Sequence, residues 1–389
     1  MAVDRLFERL EQLFRLGGGR GANRPAYTEW EDEAHRLVAD WLGEAGLEVE
    51  RDPAGNLYGR LPGTRPRLPE IWTGSHLDSV PDGGRFDGPL GVLGGLEAVE
   101  RVGAQERTLI VVAFRDEEGW RFGRGCFGSR ALCGQLEGDE LETRDDAGVT
   151  LRDAVGREPP AAGWLERPPA AYLELHVEQG PVLARLGAPL GVVSAIAGLA
   201  RLAVTFVGSP GHAGTTPMAD RDDALCKAAA FVLEVRGAAK RHDGAVATVG
   251  RLAVEPGAAN VIPARVSLIV DARAPEEETL VGLLDEIGKR AEGAEVELLR
   301  RTAPVPMAED VRTALRGALT EHGLPSPELH SGAGHDAGVL GAAGVPAGML
   351  FVRSLAGGVS HAPEEESSPE DVALAVDVLA SSLRALAHG

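Results

Sequence analysis

Two apolar runs that end in polar clusters constrain the fold of this chain more than any other feature. Ile71–Thr73 leads into Gly-Ser-His-Leu-Asp, and Thr108–Phe114 leads into Arg-Asp-Glu-Glu-Gly. Short apolar strands that alternate with helical segments predict an α/β sheet. Because the carboxyl ends of strands in such a sheet line one crevice, where ligands usually bind, we expect the two polar clusters to meet there.

The pattern of elements changes at about Ser194. Between residues 194 and 303 the order strand, helix, strand, strand, helix, strand predicts a compact α+β layer of its own, and the helix–strand alternation then resumes. We therefore predict the fold class α/β, with a catalytic domain (residues 1–193 and 304–389) whose mixed sheet is flanked by helices. An α+β domain (residues 194–303) would be inserted into it.

Two local segments outside this frame also have recognisable patterns. Thr28–Glu31 has the pattern of a capping box at the start of a helix. The acidic, Pro-rich stretch from Asp139 to Pro169 predicts an excursion on the surface. Neither segment carries a candidate functional residue.

Charge and hydropathy exclude several classes of partner. The chain of 389 residues has a formal net charge of −20, which argues against nucleic acid because such binding needs a basic face. No stretch approaches the ~20 continuous apolar residues of a membrane span, and Met1–Leu16 lacks the apolar core of a secretory signal. The cysteines Cys126, Cys133 and Cys226 have no zinc-type spacing, so we expect free buried thiols in a reducing, cytoplasmic compartment.

A set of His, Asp and Glu side chains lies at or near the ends of predicted strands, except for His176, which is predicted to lie within a strand. Its members are His76, Asp87, Glu117, Glu118, His176 and His361. Each has an ordinary alternative when taken singly, such as a loop histidine, a turn aspartate before glycine, a solvated glutamate or a core histidine. Together they exceed the three or four ligands of one metal and suit two divalent ions that share a carboxylate. Zinc, manganese, cobalt and nickel all accept such ligands.

Eight motifs recur in an order that resembles a known family. They are Gly-Ser-His-Leu-Asp-Ser (74–79), Phe-Asp-Gly-Pro-Leu-Gly (86–91), Glu-Glu-Gly (117–119), Glu-Leu-His-Val-Glu-Gln-Gly-Pro (174–181), Gly-His-Ala-Gly-Thr-Thr-Pro-Met (211–218), Asn-Val-Ile-Pro (260–263), Ser-Gly-Ala-Gly-His-Asp-Ala (331–337) and Ser-His (360–361). The chain resembles the amidase, hydantoinase and carbamoylase branch of the M20 dinuclear metallohydrolases. That branch includes N-carbamoyl-L-amino acid hydrolases, β-ureidopropionases and allantoate amidohydrolases. The resemblance covers nearly the whole chain.

The resemblance implies how the metal ligands are shared. One ion would be held by His76, Asp87 and His176, and the other by Asp87, Glu118 and His361. Asp87 would bridge the two ions, Glu117 would be the general base, and Asp78 would orient the imidazole of His76. A histidine at position 176 is the pattern of the carbamoylase branch, since the peptidase and aminoacylase branches usually carry an acidic ligand there.

The resemblance also implies which residues hold the substrate. They are Gln179, Arg201, His212, Asn260, Arg273, His335, Gly357 and Gly358. His212 would stabilise the oxyanion as a second catalytic residue, and Arg273 with Asn260 would clamp a carboxylate. His212 and Asn260 would reach the neighbouring subunit's site, so a homodimer is expected and the inserted domain would be a dimerisation (lid) domain. A surface ion pair is the alternative for Arg273, and an exposed strand-start residue is the alternative for Arg201.

The implied activity is the metal-dependent hydrolysis of the ureido C–N bond of N-carbamoyl-L-amino acids to amino acid, carbon dioxide and ammonia. The partner would be a small ureido compound that carries a carboxylate. Allantoate amidohydrolase and β-ureidopropionase are alternatives within the branch, and an aminopeptidase is the rival outside it. A non-catalytic dimeric binding protein on the same scaffold remains a further alternative, although a degenerate binder would be expected to lose some of the ligands present here. Asp116 departs from the branch, which often shows Asn there.

Overall fold

The computed structural model describes residues 2–156 and 163–388, so residues 157–162 of the predicted surface excursion lie outside the described residues. The helices are α1 (Ala2–Phe14), α2 (Glu29–Glu44), α3 (Pro89–Val102), α4 (Phe127–Leu132), α5 (Leu151–Val155), α6 (Val182–Leu186), α7 (Ala224–Ala239), α8 (Glu277–Arg290), α9 (Glu309–Glu321), α10 (Asp336–Ala342) and α11 (Pro369–Ala387). The strands are β1 (Glu48–Arg51), β2 (Leu57–Leu61), β3 (Ile71–His76), β4 (Leu109–Phe114), β5 (Ala171–Val177), β6 (Leu190–Ile196), β7 (Gly198–Val207), β8 (Gly211–His212), β9 (Val246–Glu255), β10 (Val261–Ile262), β11 (Arg265–Ala274), β12 (Glu295–Thr302), β13 (Val305–Pro306), β14 (Glu328–Ser331) and β15 (Ala347–Val352). Within the described ranges, none of the helices is both long and apolar enough to cross a bilayer.

The chain divides into two compact units, each with its own buried apolar core. The first unit comprises Met1–Ser194, Pro306–Leu329 and Gly334–Gly389. The second comprises Ala195–Val305 and His330–Ala333. A chain that leaves one unit, builds another and returns is typical of an inserted domain.

A nine-stranded mixed sheet has the order β1-β2-β4-β3-β5-β15-β6-β13, and β14 also pairs with β6. Its central strands β4, β3, β5 and β15 run parallel to one another. The pairs β1–β2, β2–β4 and β15–β6 are antiparallel. The four central strands are buried along their whole length, because a parallel sheet is covered on both faces. The predicted mixed sheet with flanking helices is confirmed.

Helix α3 is buried almost all round because it contacts β3 and β5 and also packs against α1 and α11. Gly88 precedes it with φ 83°, and a Cβ at this position would lie 2.5 Å from the imidazole of His76. Pro89 then opens the helix, where its fixed φ is suitable and its missing N–H costs nothing. The sequence Phe-Asp-Gly-Pro therefore holds Asp87 beside His76 at the start of a fixed helix.

The start of α2 differs from the predicted capping box. The helix follows Thr28 as expected, but the Thr28 hydroxyl donates to the carbonyl of Pro25 at 2.7 Å. The Glu31 carboxylate accepts from the amide of Tyr27 instead of that of Thr28, and it pairs with the buried guanidinium of Arg115 at 2.6 Å. Because a buried cation must be paired, Arg115 binds the Glu31 carboxylate, which the sequence pattern had assigned to the helix cap.

The second unit contains an antiparallel sheet of the order β12-β7-β11-β9. One face packs on α7 and α8. Side chains alternate between buried and half-exposed along β7 and β11, so each strand gives alternate residues to the open face. Asp271 on that face is directly opposite Arg201, and Arg273 follows two residues later. A separate ribbon of β8 and β10 sets His212 opposite Val261.

The three cysteines are free thiols, as expected, but their predicted burial is only partly right. Cys126 and Cys133 are half-buried, whereas Cys226 is exposed in the first turn of α7. The prediction of a buried thiol is wrong for Cys226, because only one side of α7 packs on the sheet and Cys226 lies on the opposite side.

Candidate metal centre

The ends of parallel strands bring the predicted ligands to one edge of the nine-stranded sheet. His76 is the last residue of β3, and His176 is the last but one of β5. Glu118 follows β4, His361 follows β15, and Asp87 lies two residues before α3. Since the carboxyl ends of neighbouring parallel strands share an edge, residues far apart in sequence come together there.

Asp87 lies between two groups of potential ligands. Its Oδ1 is 3.6 Å from His76 Nε2 and 3.2 Å from His176 Nε2. Its Oδ2 is 3.3 Å from His361 Nε2, which is also 3.3 Å from Glu118 Oε2. In each group the potential ligand atoms all lie within 4.8 Å of one another. A carboxylate that presents one oxygen to each group suits a bridging position between two ions.

The donor atoms of this centre fit divalent metal. His76 Nε2, His176 Nε2 and Glu118 Oε1 are buried and make no hydrogen bond to any residue that the structure describes. Buried polar atoms without partners are rare and call for an explanation such as an ion. Imidazole nitrogens and carboxylate oxygens are the ligands of zinc, manganese, cobalt and nickel. The residues present therefore fit two divalent ions.

Burial and charge oppose each other in this centre. Burial by itself would raise the pKa of Asp87, but the nearby imidazoles of His176, His361 and His76 hold that pKa well below its usual range. Burial raises the pKa of Glu117 well above its usual range, although the positive charge of His76 opposes this. Burial together with the charge of Asp87 raises the pKa of Glu118 to about 7. Carboxylates in such surroundings ionise readily only beside a positive charge, which a bound cation would supply.

Asp78 connects His76 to the two glutamates. The His76 Nδ1 is 3.2 Å from the carbonyl oxygen of Asp78 and 3.4 Å from its Oδ1. The Asp78 carboxylate also accepts from the backbone amides of Glu117 and Glu118, each at 3.1 Å. These contacts turn His76 Nε2 towards Asp87 and fix the turn that follows β4.

Glu117, the predicted general base, lies at the border of the centre. Its Oε2 is 3.6 Å from His76 Nε2, and its Oε1 accepts from the Cys126 thiol at 3.7 Å. The preceding residue, Asp116, is fully buried with φ 53°. Burial raises the pKa of Asp116 well above its usual range, and the nearby charge of Asp78 adds to this effect. Burial therefore favours the neutral form of this carboxyl, at a position where the branch often shows asparagine.

Glu365 supports the centre and was missed by the analysis of the sequence. Its Oε1 accepts from the backbone amides of Phe86 and Asp87 at 2.8 and 3.1 Å. Its Oε2 accepts from the hydroxyl of Ser360 at 2.7 Å, and Ser360 Oγ is 3.2 Å from Asp87 Oδ2. Glu365 thus ties the loop of Asp87 to the loop of His361. Only its burial, at 5% exposure, distinguishes it from the other glutamates of its acidic run.

Two predicted substrate contacts lie close to the ligands. The side-chain amide of Gln179 donates to Asp87 Oδ2 at 2.9 Å, and its backbone has φ 55°. The ring centroid of His335 is 4.5 Å from that of His176 in an edge-on arrangement. Burial and then the charge of His176 hold the pKa of His335 well below its usual range. His335 is therefore a neutral imidazole beside the centre.

The predicted glycines Gly357 and Gly358 both have left-handed backbone, with φ 78° and 81°. A Cβ on Gly358 would lie 2.2 Å from the carbonyl carbon of Gly180, whereas one on Gly357 would meet no described atom within 4 Å. Packing of the chain on itself requires glycine at 358, and backbone conformation favours it at 357. Neither glycine by itself indicates a ligand.

His212 and Asn260 lie together in the second unit. Both side chains are exposed, and the backbone amide of Ala213 donates to the Asn260 carbonyl at 2.9 Å. The His212 Nδ1 accepts from the amide of Gly214 at 3.1 Å. That contact leaves Nε2 as the ring nitrogen that can carry the proton and donate to a ligand.

Arg201 and Arg273 share one carboxylate. Arg273 Nε donates to Asp271 Oδ1 at 2.8 Å, and Arg201 Nη2 donates to Asp271 Oδ2 at 3.0 Å. Arg273 Nη1 also donates to the carbonyl of Gly332 at 2.7 Å. The ion pair considered as an alternative for Arg273 is thus present, and its contact with a substrate carboxylate stays a prediction.

The chain is similar to known proteins along nearly its whole length. The sequence model of Peptidase family M20/M25/M40 matches residues 72–385. The chain is 42% identical over 406 residues to the N-carbamoyl-L-amino acid amidohydrolase of Geobacillus stearothermophilus, with 99% of both chains covered. It is 37% identical over 400 residues to the allantoate amidohydrolase of Bacillus subtilis (strain 168), with 97% of this chain and 96% of the relative covered. A solved amidase of the hydantoinase/carbamoylase family from Burkholderia multivorans matches with a TM-score of 0.90 at 34% identity, covering 100% of this chain and 98% of that one.

Proposed function

The chain belongs to the M20/M25/M40 peptidase family, in its hydantoinase/carbamoylase branch of hydrolases that act on non-peptide C–N bonds, and we propose that it hydrolyses N-carbamoyl-L-amino acids. The products would be the amino acid, carbon dioxide and ammonia. The observation that carries this proposal is the position of Asp87. One of its oxygens faces His76 and His176, the other faces His361, and Glu117 lies beside His76. The relative at 42% identity is named for this substrate class, which supports the choice.

Each residue of the centre has a part in the proposed reaction. Two divalent ions held by the ligand groups would polarise the ureido carbonyl and make a water nucleophilic at neutral pH. Glu117 takes a proton from the attacking water and delivers it to the leaving nitrogen. Asp78 holds both His76 and the turn that carries Glu117. His212, contributed by the neighbouring subunit of a proposed homodimer, donates to the developing oxyanion.

A panel of ureido compounds tests this proposal. Ammonia release is measured from N-carbamoyl-L-amino acids, β-ureidopropionate and allantoate. A dipeptide serves as the peptidase control, and its cleavage is measured as release of free amino acids. We expect the highest kcat/KM on an N-carbamoyl-L-amino acid, loss of activity on chelation, and recovery with one of the four candidate metals. Cleavage of the dipeptide alone would contradict the proposal. Metal binding without turnover of any compound would favour the non-catalytic alternative.

Allantoate is the second candidate substrate because of Arg201. Its guanidinium lies beside that of Arg273 on the shared carboxylate of Asp271. A second cation next to the proposed carboxylate clamp suits a substrate with further polar groups, such as the second ureido group of allantoate. We expect Arg201→Gln to lower kcat/KM for allantoate more than for N-carbamoyl-L-alanine if allantoate is the better substrate of the wild type.

Carboxylate recognition by Arg273 and Asn260 gives a separate prediction. Arg273→Ala should lower kcat/KM on N-carbamoyl-L-alanine by roughly 100-fold, because a bidentate guanidinium contact is lost, while bound metal stays unchanged. Metal content by mass spectrometry is the control. Equal rates of the wild type on N-carbamoyl-L-alanine and on its amide would rule out the clamp.

A further inference from the structure

The open face of the second unit's sheet carries an unbalanced set of charges. Arg201 on β7 and Asp271 on β11 are directly opposite each other, and Arg273 lies two residues further along β11 on the same face. All three are half-exposed, at 41%, 25% and 31% of their side-chain surfaces for Arg201, Asp271 and Arg273. Two guanidiniums and one carboxylate give these three residues together one net positive charge.

Asp271 binds both guanidiniums through a defined set of hydrogen bonds. Arg273 uses Nε on Oδ1 at 2.8 Å and Nη2 on Oδ2 at 3.4 Å. Arg201 reaches the same Oδ2 at 3.0 Å, so the two guanidiniums lie side by side. Burial would raise the pKa of Asp271, but the hydrogen bonds from Arg273 and Arg201 hold it below its usual value, so the group is ionised at neutral pH.

We propose that Asp271 is a specificity-determining residue that neutralises Arg201, so that the pair of guanidiniums accepts a single substrate carboxylate and disfavours a second. The preferred substrates are then ureido acids with one carboxylate and a neutral side chain. This inference rests on the proposed function, because it takes Arg273 as the group that binds the substrate carboxylate. It goes beyond that function because it assigns the choice between monoanionic and dianionic substrates to one residue.

Substitutions of Asp271 and of Arg201 should have opposite effects on the preference between substrates with one carboxylate and substrates with two. Removing the charge of Asp271 leaves two positive charges, which suit a dicarboxylate. Removing the charge of Arg201 leaves one guanidinium beside a carboxylate, which repels a second substrate anion. A purely structural cross-strand pair would instead affect all substrates alike.

The test uses two compounds that differ in charge but hardly in shape, N-carbamoyl-L-asparagine and N-carbamoyl-L-aspartate. Their dissociation constants are measured by calorimetry on the metal-loaded Glu117→Gln protein, where turnover is suppressed, and their kcat/KM values are measured on the protein with Glu117 intact. Asp271→Asn should shift the ratio of the two dissociation constants about tenfold towards the aspartate compound. Arg201→Gln should shift it the other way, and adding Arg201→Gln to Asp271→Asn should remove the gain.

Glu295→Gln is the matched control. It removes one negative charge from the same sheet, where Glu295 pairs with Arg265 at 3.2 Å, and it should leave the ratio unchanged. An unchanged ratio in folded Asp271→Asn, or an equal loss for both compounds, would overturn the inference. Should Asp271→Asn fail to fold, an Arg201→Gln ratio equal to that of the parent protein would overturn it as well.

Failure of the proposed function can be distinguished from failure of the role given to Asp271. In that case the wild type with bound metal releases no ammonia from either compound, while the binding ratios still decide the role of Asp271. If neither compound binds to any variant, the clamp is absent and the inference falls with it.

Discussion

Glu117 and Glu118 are neighbours in sequence but face different partners. Glu117 contacts His76 and the thiol of Cys126, whereas Glu118 contacts His361. Asp78 accepts from both of their backbone amides and so fixes the turn that points them apart. The proposed division of labour, with one glutamate as base and the next as ligand, follows from these different surroundings.

Paired substitutions at these positions separate the two roles. Glu117→Gln should keep both metals and lose at least ~100-fold in kcat, because a general base is removed without loss of a ligand. Glu118→Gln should lose bound metal, because a weakly coordinating amide replaces a carboxylate. Metal per chain is measured by mass spectrometry beside kcat. Near-full kcat in Glu117→Gln would show that another group is the base.

At the scale of elements, the centre depends on how α3 begins and on how two loops are joined. Gly88 provides space for the His76 ring at the start of α3, and Gly103, whose Cβ position is open, directly follows the last residue of the same helix. Glu365 joins the loop before α3 to the loop that carries His361. Gly88 and Glu365 therefore affect the positions of the proposed metal ligands without being ligands themselves.

The two ends of α3 offer a matched pair of variants. Gly88→Ala and Gly103→Ala both place a side chain at positive φ, 83° and 66°, so both should lower the melting temperature. Only Gly88→Ala should also weaken metal binding, by roughly 10-fold or more, because its Cβ displaces the His76 imidazole. Metal affinity is measured by competition with a chelator. Equal affinities in the two variants would contradict the role given to Gly88.

Glu365→Ala tests the connection between the two loops. The backbone amides of Phe86 and Asp87 and the Ser360 hydroxyl would lose their acceptor, so we expect metal affinity to fall about 10–100-fold. Glu366→Ala is the control, since its side chain is exposed and only one position away. Glu365→Gln, which keeps an acceptor for the two amides, should recover part of the affinity. The same metal affinity in Glu365→Ala and Glu366→Ala would exclude a positioning role.

At the scale of the whole molecule, the residues assigned to catalysis and substrate binding are divided between the two units. The metal ligands and Glu117 belong to the first unit, whereas His212, Asn260 and Arg273 belong to the second. The boundaries at residues 194 and 303, the lid role of the second unit and the homodimer stay predictions. A two-fold dimer is the commonest closed assembly and would let one subunit complete the other's site.

Mixed dimers test whether His212 acts in the partner's site. Glu117→Ala and His212→Ala chains should each be nearly inactive. When an equal mixture is unfolded and refolded, random pairing makes about half of the dimers mixed, and one of the two sites in each has both residues intact. We therefore expect about a quarter of wild-type activity. Confirmed mixed dimers no more active than their parents would mean that His212 acts within its own chain or not at all.

The sequence by itself determined that apolar strands lead into polar clusters, which residue types those clusters contain, and the family. Apolar runs of strand length followed by His, Asp and Glu depend only on local burial and chemistry, and those are written in the sequence. The predicted ligands His76, Asp87, Glu118, His176 and His361 do come together, because parallel strands must place their carboxyl ends at one edge.

Only the tertiary structure decided which polar groups meet across long separations in sequence. Glu365 looks like its solvated neighbours until the fold buries it against the loop of Asp87. Glu31 does not make its predicted capping contact, because Arg115, which directly follows β4, is buried beside it and needs a counter-ion. The sharing of Asp271 by two arginines likewise depends on strand register, which the alternation of side chains along one strand does not specify.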